Sequence, residues 1–429
     1  MILFKLASKS LLNRKASVLL SVITIAISVM LLLTIERVRV QAKESFAATV
    51  SGTDLIVGAR TGDIQLLLAS VFRIGHMNNG VSWQSYQDII SKRGVNWSIP
   101  LSLGDAHKGY AVLGTTTGYF EHFKFGKKQG LAFSLGREFM HADEVVLGAQ
   151  IAAELGYKLD DKIVVAHGMG NTSFHNHDEN PLTIVGILEA TGTPVDKTLH
   201  VPLIAIEQMH TNSGPAPAHH DDHEHHQGDE HLEESHQPSD DLIGQPTQIS
   251  AFLIGFDSPL YTLQVRRNIN TYKAEPLMAI MPGVTLRELW GMLAIVEKLL
   301  ILFSAVVLVV SLLGMLTTLL ANLSQRRREL AILRSVGAKP WHIFSLMSLE
   351  SLLISVVGTA LGVALSYLLL LSTQPMLQAY GGISVTLSRL SHYELTLVAG
   401  IISAGWLVGL LPAVRAYFYS LHDGMSIKT

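Results

Sequence analysis

The chain of 429 residues contains no cysteine. That excludes disulfide bridges, thiolate nucleophiles and cysteine-ligated zinc, and it leaves the redox compartment undecided. Charge is scarce as well: Asp, Glu, Lys and Arg make up 16% of the residues, against about 25% in ordinary soluble domains. The 32 Lys and Arg nearly balance the 35 Asp and Glu and form no extended basic face, which excludes nucleic acid as a partner. No G-x-x-x-x-G-K-[ST] occurs, so the sequence offers no loop built to cradle nucleotide phosphates. A Ser/His/Asp order, a paired-carboxylate pocket and H-E-x-x-H are also missing. The sequence therefore reads as a non-catalytic chain without an intrinsic cofactor.

Apolar residues are abundant, at 48%. A helix that crosses a bilayer needs about 20 predominantly apolar residues, and the uncharged runs 16–35, 299–324, 351–374 and 395–414 each supply them. Val40-Gln41-Ala42 loosely resembles a signal-peptide cleavage site. The run before it is longer than the usual 7–15 residue apolar region of a signal peptide, so it reads as an anchor. Lys5, Lys9, Arg14 and Lys15 precede the first run, Arg326, Arg327, Arg328, Arg334 and Lys339 separate the second and third, and Arg415 and Lys428 follow the fourth. The loop between the third and fourth holds only Arg389. This bias predicts both termini in the cytoplasm and residues of about 40–285 outside.

The expected organisation is an α-helical four-span membrane protein, one span followed by three, with an inserted α+β domain. Its segments are a cytoplasmic start and first span (1–39), the external domain (40–284), a stalk and second span (285–324) and a cytoplasmic segment (325–342). The third span (343–374), a short outer loop (375–393) and the fourth span with the C-terminal tail (394–429) complete it. Strand-like runs at 54–57, 110–113, 162–165, 182–185, 199–202 and 249–254, with helical patterns at 148–155 and 203–210, suggest the mixed domain. Thr285-Leu-Arg-Glu288 has the form of a capping box. A single helix from 286 to 324 is about 58 Å long, against a hydrocarbon core of about 30 Å, so its first turns project outside as a stalk. Residues 36–50 contain no helix breaker and can extend the first span likewise.

Several residues stand out as candidates. Gly358 and Gly362, and Gly405 and Gly409, place small residues at the spacing that lets helices approach closely in lipid; the same spacing also arises by chance in glycine-rich spans. Between the second and third spans, a short helix ends at Gly337 and Pro340 opens the next one. Leu330, Leu333 and Val336 fall on one face of that short helix, with Arg327, Glu329 and Arg334 elsewhere. Such an apolar ridge suits a groove on a protein partner, its charges fixing orientation; the plainer reading is a basic segment that only holds topology. Glu350, about 15 Å beyond Pro340 along a helix, is an ionisable group in a span, and pairing with Arg334 or another basic residue is favoured over a substrate or proton role.

From 215 to 248 the composition changes. His219, His220, His223, His225, His226, His231 and His236 are interleaved with Asp and Glu, and apolar residues almost vanish. Such a stretch cannot fold by burial and reads as a disordered loop. Imidazoles among carboxylates are competent ligands for Zn²⁺, Ni²⁺ or Cu²⁺, and His175-Asn-His-Asp178 adds further ligands. Without defined spacing, the expectation is weak, adaptable zinc binding; the alternative is a solvated acidic loop.

Glu144-Val-Val-Leu-Gly-Ala-Gln-Ile-Ala-Ala-Glu-Leu-Gly156, then Asp161-Lys-Ile163, Leu182-Thr-Ile-Val-Gly-Ile-Leu188 and Thr191-Gly-Thr-Pro-Val-Asp196 resemble the periplasmic core domain of MacB-type ABC transporter permeases. Arg326-Arg-Arg-Glu-Leu-Ala-Ile-Leu-Arg-Ser-Val-Gly-Ala338 resembles the coupling segment of that family, and Leu411-Pro-Ala-Val-Arg-Ala416 and Asp423-Gly-Met425 follow in order. Asp160 stands where the family pattern has glycine, and the His-rich insertion is foreign to it. The resemblance to the MacB, FtsX and LolC/LolE family implies a permease of the bacterial inner membrane. It implies a homodimer, or a heterodimer with a paralogue, bound to a cytoplasmic ABC ATPase. Nucleotide-driven closure would be relayed to a periplasmic client, lipoprotein or adaptor. A zinc-linked transporter or sensor, and an FtsX-like activator of cell-wall hydrolases, are the alternatives.

Overall fold

The computed structural model describes residues 11, 14–77, 79–167, 181–211, 246–325, 332, 335–381 and 389–422. Two compact units emerge: residues 1–42 with 293–429, and residues 43–292.

The first unit is built on four apolar helices, Lys15–Thr49, Pro282–Gln325, Pro340–Gly381 and His392–His422, each long and apolar enough to cross a membrane. Val22, Ile25, Val29 and Leu33 of the first helix pack with Leu312, Met315 and Leu319 of the second, Ile354 of the third and Ile401 of the fourth. Leu323, Ile343, Met347, Ala413 and Ala416 form a second cluster toward the other ends of three of the helices. The second helix starts earlier than the capping motif suggests. Pro282 opens it, and the Thr285 amide already donates to the Met281 carbonyl at 3.1 Å. The Thr285 amide is thus inside the helix, and no Thr285–Glu288 box is formed. Proline suits a first turn because its fixed φ is helical and its missing N–H would have had no partner there.

The inserted unit is organised by one eleven-stranded mixed sheet. Its strands are β1 (Leu55–Ala59), β3 (Val95–His107), β4 (Tyr110–Thr115), β7 (Phe133–Gly136), β8 (Glu144–Leu147), β9 (Lys162–Ile163), β10 (Ala166–His167), β11 (Leu182–Leu188), β12 (Thr198–Pro202), β14 (Ala251–Phe256) and β15 (Leu277–Ile280). The order is β15-β1-β14-β3-β4-β12-β8-β11-β7, with β10 beside β3 and β9 beside β11. β2 (Val81–Ser82) pairs with β13 (Gln248–Ile249), and β5 (Lys124–Phe125) with β6 (Gln129–Gly130). Both faces of the central strands are covered, which is why they read as continuous apolar runs. Ile56, Leu253, Leu113 and Val146 face one core. Their neighbours Val112, Val145, Leu147, Leu199 and Val201 face a second, and Leu55, Val57, Phe252 and Ile254 a third.

β3 is the long member that pairs with β14 along one stretch and with β4 along another. Its register with β4 shifts between Leu103 and Ala106, where Gly104 adopts φ +149. Asp160 has φ +70, which explains a pattern that otherwise holds glycine: the turn needs a left-handed residue, and aspartate is among the few others that tolerate it.

Candidate functional site

Three regions carry the polar and exposed groups from which a function can be built. The first follows the second membrane helix. Of the ridge and charges singled out in the sequence, Arg327, Glu329, Leu330, Leu333 and Arg334 lie outside the described residues. Val336 and Gly337 are described. The Val336 amide donates to the Ile332 carbonyl at 3.2 Å, and Gly337 takes φ +102, so the backbone turns out of the helix there. Lys339 then donates its amide to His342 Nδ1 at 3.2 Å, at the start of the helix opened by Pro340. Ile332, Val336 and Trp341 are 63%, 83% and 65% exposed. Three large apolar side chains thus stand free on either side of one turn, and Trp341 stacks on Phe344 with ring centroids 5.2 Å apart. Ile332 and Trp341 were not singled out in the sequence; the tryptophan directly after Pro340 was the available signal.

The second region is the interior of the helical unit. Gly358 and Gly362 face the first helix: a β-carbon at Gly358 would lie 3.0 Å from Ile25 Cβ, and one at Gly362 would lie 2.6 Å from Val29 Cβ. Gly405 and Gly409 face Ser355 and Ser351 of the third helix, leaving no room for a β-carbon. Trp406 Nε1 donates to Ser348 Oγ at 2.8 Å. Glu350 is buried and lines a small pocket with Arg14, Ser21, Thr318, Asn322 and Met347. Arg14 Nη1 donates to the Asn322 carbonyl at 3.1 Å. Among the described residues, Arg14 is the basic side chain that lines the Glu350 pocket; Arg334 is outside the described residues. Farther along the first helix, Arg37 and Glu394 form a buried ion pair at 2.6 Å.

The third region is in the inserted unit. Glu144 is buried, and burial raises its pKa. The Arg137 guanidinium, the Met140 amide and the His141 ring and amide outweigh that and hold the carboxyl at about 2. Arg137 binds it with two nitrogens, at 2.9 and 2.6 Å. His200 is fully buried, its ring tilted against that of Tyr119 with centroids 5.1 Å apart. Burial first, then the nearby Arg73 charge, push its pKa down to about 3. His107 is also lowered by burial, while its Nδ1 meets the Val164 carbonyl at 2.5 Å and its Nε2 the Tyr157 hydroxyl at 2.9 Å.

His219, His220, His223, His225, His226, His231 and His236, like His175 and His177, lie outside the described residues. Among the described residues, no three His, Asp or Glu side chains converge on a metal position.

Two family models match the chain. That of the MacB-like periplasmic core domain covers residues 18–221, and that of the FtsX-like permease C-terminal region covers residues 301–421. The macrolide export ATP-binding/permease protein MacB of Escherichia coli K12 is 30% identical over 160 residues, covering 34% of this chain and 24% of that protein. MacB of Chromobacterium violaceum is 30% identical over 124 residues, covering 29% of this chain and 18% of its own length. The chain thus aligns with about a quarter or less of these relatives. The crystal structure of the periplasmic region of MacB from Actinobacillus actinomycetemcomitans aligns with a TM-score of 0.35 and 9% identity, covering 56% of this chain and 94% of that one. The extracellular domain of the noncanonical ABC-type transporter YknZ from Gram-positive bacteria aligns with a TM-score of 0.30 and 11% identity, covering 53% and 98%.

Proposed function

The chain belongs to the family of MacB- and FtsX-type permeases, a multi-pass membrane protein with an inserted MacB-like core domain, and from that premise we propose that it is the membrane subunit of an ABC transporter that relays the motion of a separate cytoplasmic ATPase to the periplasm. The observation that carries this reading is the exposed apolar set Ile332, Val336 and Trp341 around the Gly337 turn. It falls in the segment whose flanking arginines and lysine favour the cytoplasm. Apolar side chains left free beside a membrane helix are suited to fill a groove on a protein partner.

The ATPase would push on this segment, and the long helices would carry the displacement. Pro282–Gln325, with 44 residues, is about 66 Å long, well beyond the roughly 30 Å that hydrocarbon requires. A continuous helix is stiff along its axis, so it suits a mechanical link. In this reading nucleotide hydrolysis belongs to the partner, in keeping with the lack of a phosphate-cradling motif in these 429 residues. In this reading the protein resides in the bacterial inner membrane, pairs with a second copy or a paralogue, and acts on a periplasmic or membrane-bound client.

The test is co-purification of the full chain with a stand-alone ABC ATPase co-expressed from the same genome. The native chain is expected to bind its partner ATPase and stimulate it. Val336→Asp and Ile332→Asp should each reduce stimulation about tenfold, a coupling effect of ordinary size, with the chain still folded and inserted. Full binding and stimulation in both variants would sink the assignment of this surface.

A further inference from the structure

Arg37 sits two residues past the uncharged run 16–35 and would ordinarily be read as a charge that marks the end of a span. The structure gives it another setting. Its side chain is only 5% exposed, and its guanidinium meets Glu394 with two nitrogens, Nε to Oε1 at 2.6 Å and Nη2 to Oε2 at 3.2 Å. Nη2 also donates to the Tyr367 hydroxyl at 2.8 Å, and the guanidinium carbon lies 4.2 Å from the Tyr367 ring centre. The first helix is therefore held at one residue by both the third and the fourth.

Glu394 is itself fixed before it meets Arg37. The Ser391 amide donates to its Oε2 at 2.8 Å, and Ser391 Oγ accepts from the Tyr393 amide at 3.2 Å. This is a capping box at the start of the fourth helix, so the carboxylate that caps the helix is also the one that receives the arginine. Two residues along the first helix, Arg39 points another way. It pairs with Glu36 at 2.6 Å and with Glu297 of the second helix at 3.5 Å. Within three residues, the first helix is thus tied by charge to all three others.

We infer that Arg37, Glu394 and Tyr367 form a charge latch that makes the end of the first span move as one body with the third and fourth, so that a push on those helices reaches the first. The planar guanidinium fork matches the carboxylate edge and the ring face together, which a lysine cannot do. Loss of either partner would strand a buried charge, so the latch is held firmly while intact and opens only at a cost. Arg37 and Glu394 are positioning residues in this scheme. The relay half of the inference rests on the permease reading above; the latch half does not.

The absence of cysteine makes the test direct. Val40→Cys and Tyr393→Cys, both at exposed positions, carry spin labels on the otherwise full chain in lipid nanodiscs with its co-expressed ATPase. We expect one narrow distance distribution in this background. Glu394→Gln and the milder Arg37→Lys should broaden it, and the charge exchange Arg37→Glu with Glu394→Arg should narrow it again. ATPase stimulation should fall about tenfold in Glu394→Gln at unchanged yield of the complex, and recover in the exchange. An unchanged distribution in both single variants overturns the latch. Broadened distances with full stimulation overturn its role in the relay. A background chain that neither binds nor stimulates the ATPase refutes the permease reading instead, and the distances alone then decide the latch.

Discussion

Ser351 lies so close to the α-carbon of Gly409 that a β-carbon there would overlap its side chain. One helical turn away, Ser355 and Gly405 repeat the arrangement. Lipid gives helices no hydrophobic reason to associate, so close backbone contact of this kind supplies much of the attraction. Gly409→Ala should therefore destabilise the helical unit by about 1–3 kcal/mol, the ordinary cost of overpacking. The exchange Ser351→Gly with Gly409→Ser should recover most of the loss. Thermal unfolding of the full chain in nanodiscs reads both; equal melting temperatures for native and Gly409→Ala would remove these glycines from the packing argument.

The four spans were legible because an uncharged apolar run of about 20 residues or more fits a bilayer and little else. The central apolar strands were legible for a related reason: burial on both faces leaves a continuous apolar run. β3 was not. Pro100 and Gly104 lie inside it, and both residues argue against a strand in sequence, yet Pro100 pairs in register with Phe252 of β14 and Gly104 falls in the register shift of the pairing with β4. β15 is only four residues long and was hidden by its length. The Arg37–Glu394 pair was invisible for a different reason. The two residues are 357 positions apart, and each looks like a charge flanking an apolar run until tertiary packing brings them together. Ser351 and Ser355 were likewise unremarkable until Gly409 and Gly405 faced them.

Ser28 and Ser311 share a hydrogen bond of 2.6 Å between the first and second helices, and Ser311 also donates to the Thr24 carbonyl at 3.1 Å. Both serines are buried. Interhelical hydrogen bonds of this type contribute roughly 0.6 kcal/mol on average, and up to about 1.7 kcal/mol. A double-mutant cycle with Ser28→Ala and Ser311→Ala should give a coupling within that range in lipid. Strict additivity of the two substitutions would show that the contact is not energetically coupled.

The His-rich stretch 215–248 gives a prediction from composition alone. Neutral imidazoles ligate and protonated ones do not, so zinc affinity should be modest at pH 7.5 and fall as pH drops below about 6.5. Calorimetry on the full chain should show zinc binding that disappears when residues 215–241 are removed. Equal heats with and without the stretch would place any bound zinc elsewhere.

His200 makes the stability of the inserted unit depend on pH. Its folded pKa of about 3 lies below the unfolded value of about 6.5, because the apolar surroundings of Tyr119 and Phe120 and the nearby Arg73 charge disfavour the imidazolium. The unfolded chain therefore binds more protons than the folded one between these values, and stability rises with pH across that window. Stability from this group is complete above pH 6.5 and declines as pH falls toward 3, by about 2 kcal/mol between pH 7.5 and 5. Glu144 adds a loss at lower pH, where its carboxyl, held at about 2, faces an unfolded value near 4.5. Its share is present above pH 4.5 and disappears as pH falls through 2. His200→Leu should flatten the upper part of the profile and leave the lower part, since leucine fills a similar volume without a titrating group. Hydrogen exchange in the full chain over residues 198–202, compared at pH 7.5 and 5 after correction for intrinsic rates, reads the difference. The same loss of protection in both proteins would move the acid sensitivity to another residue.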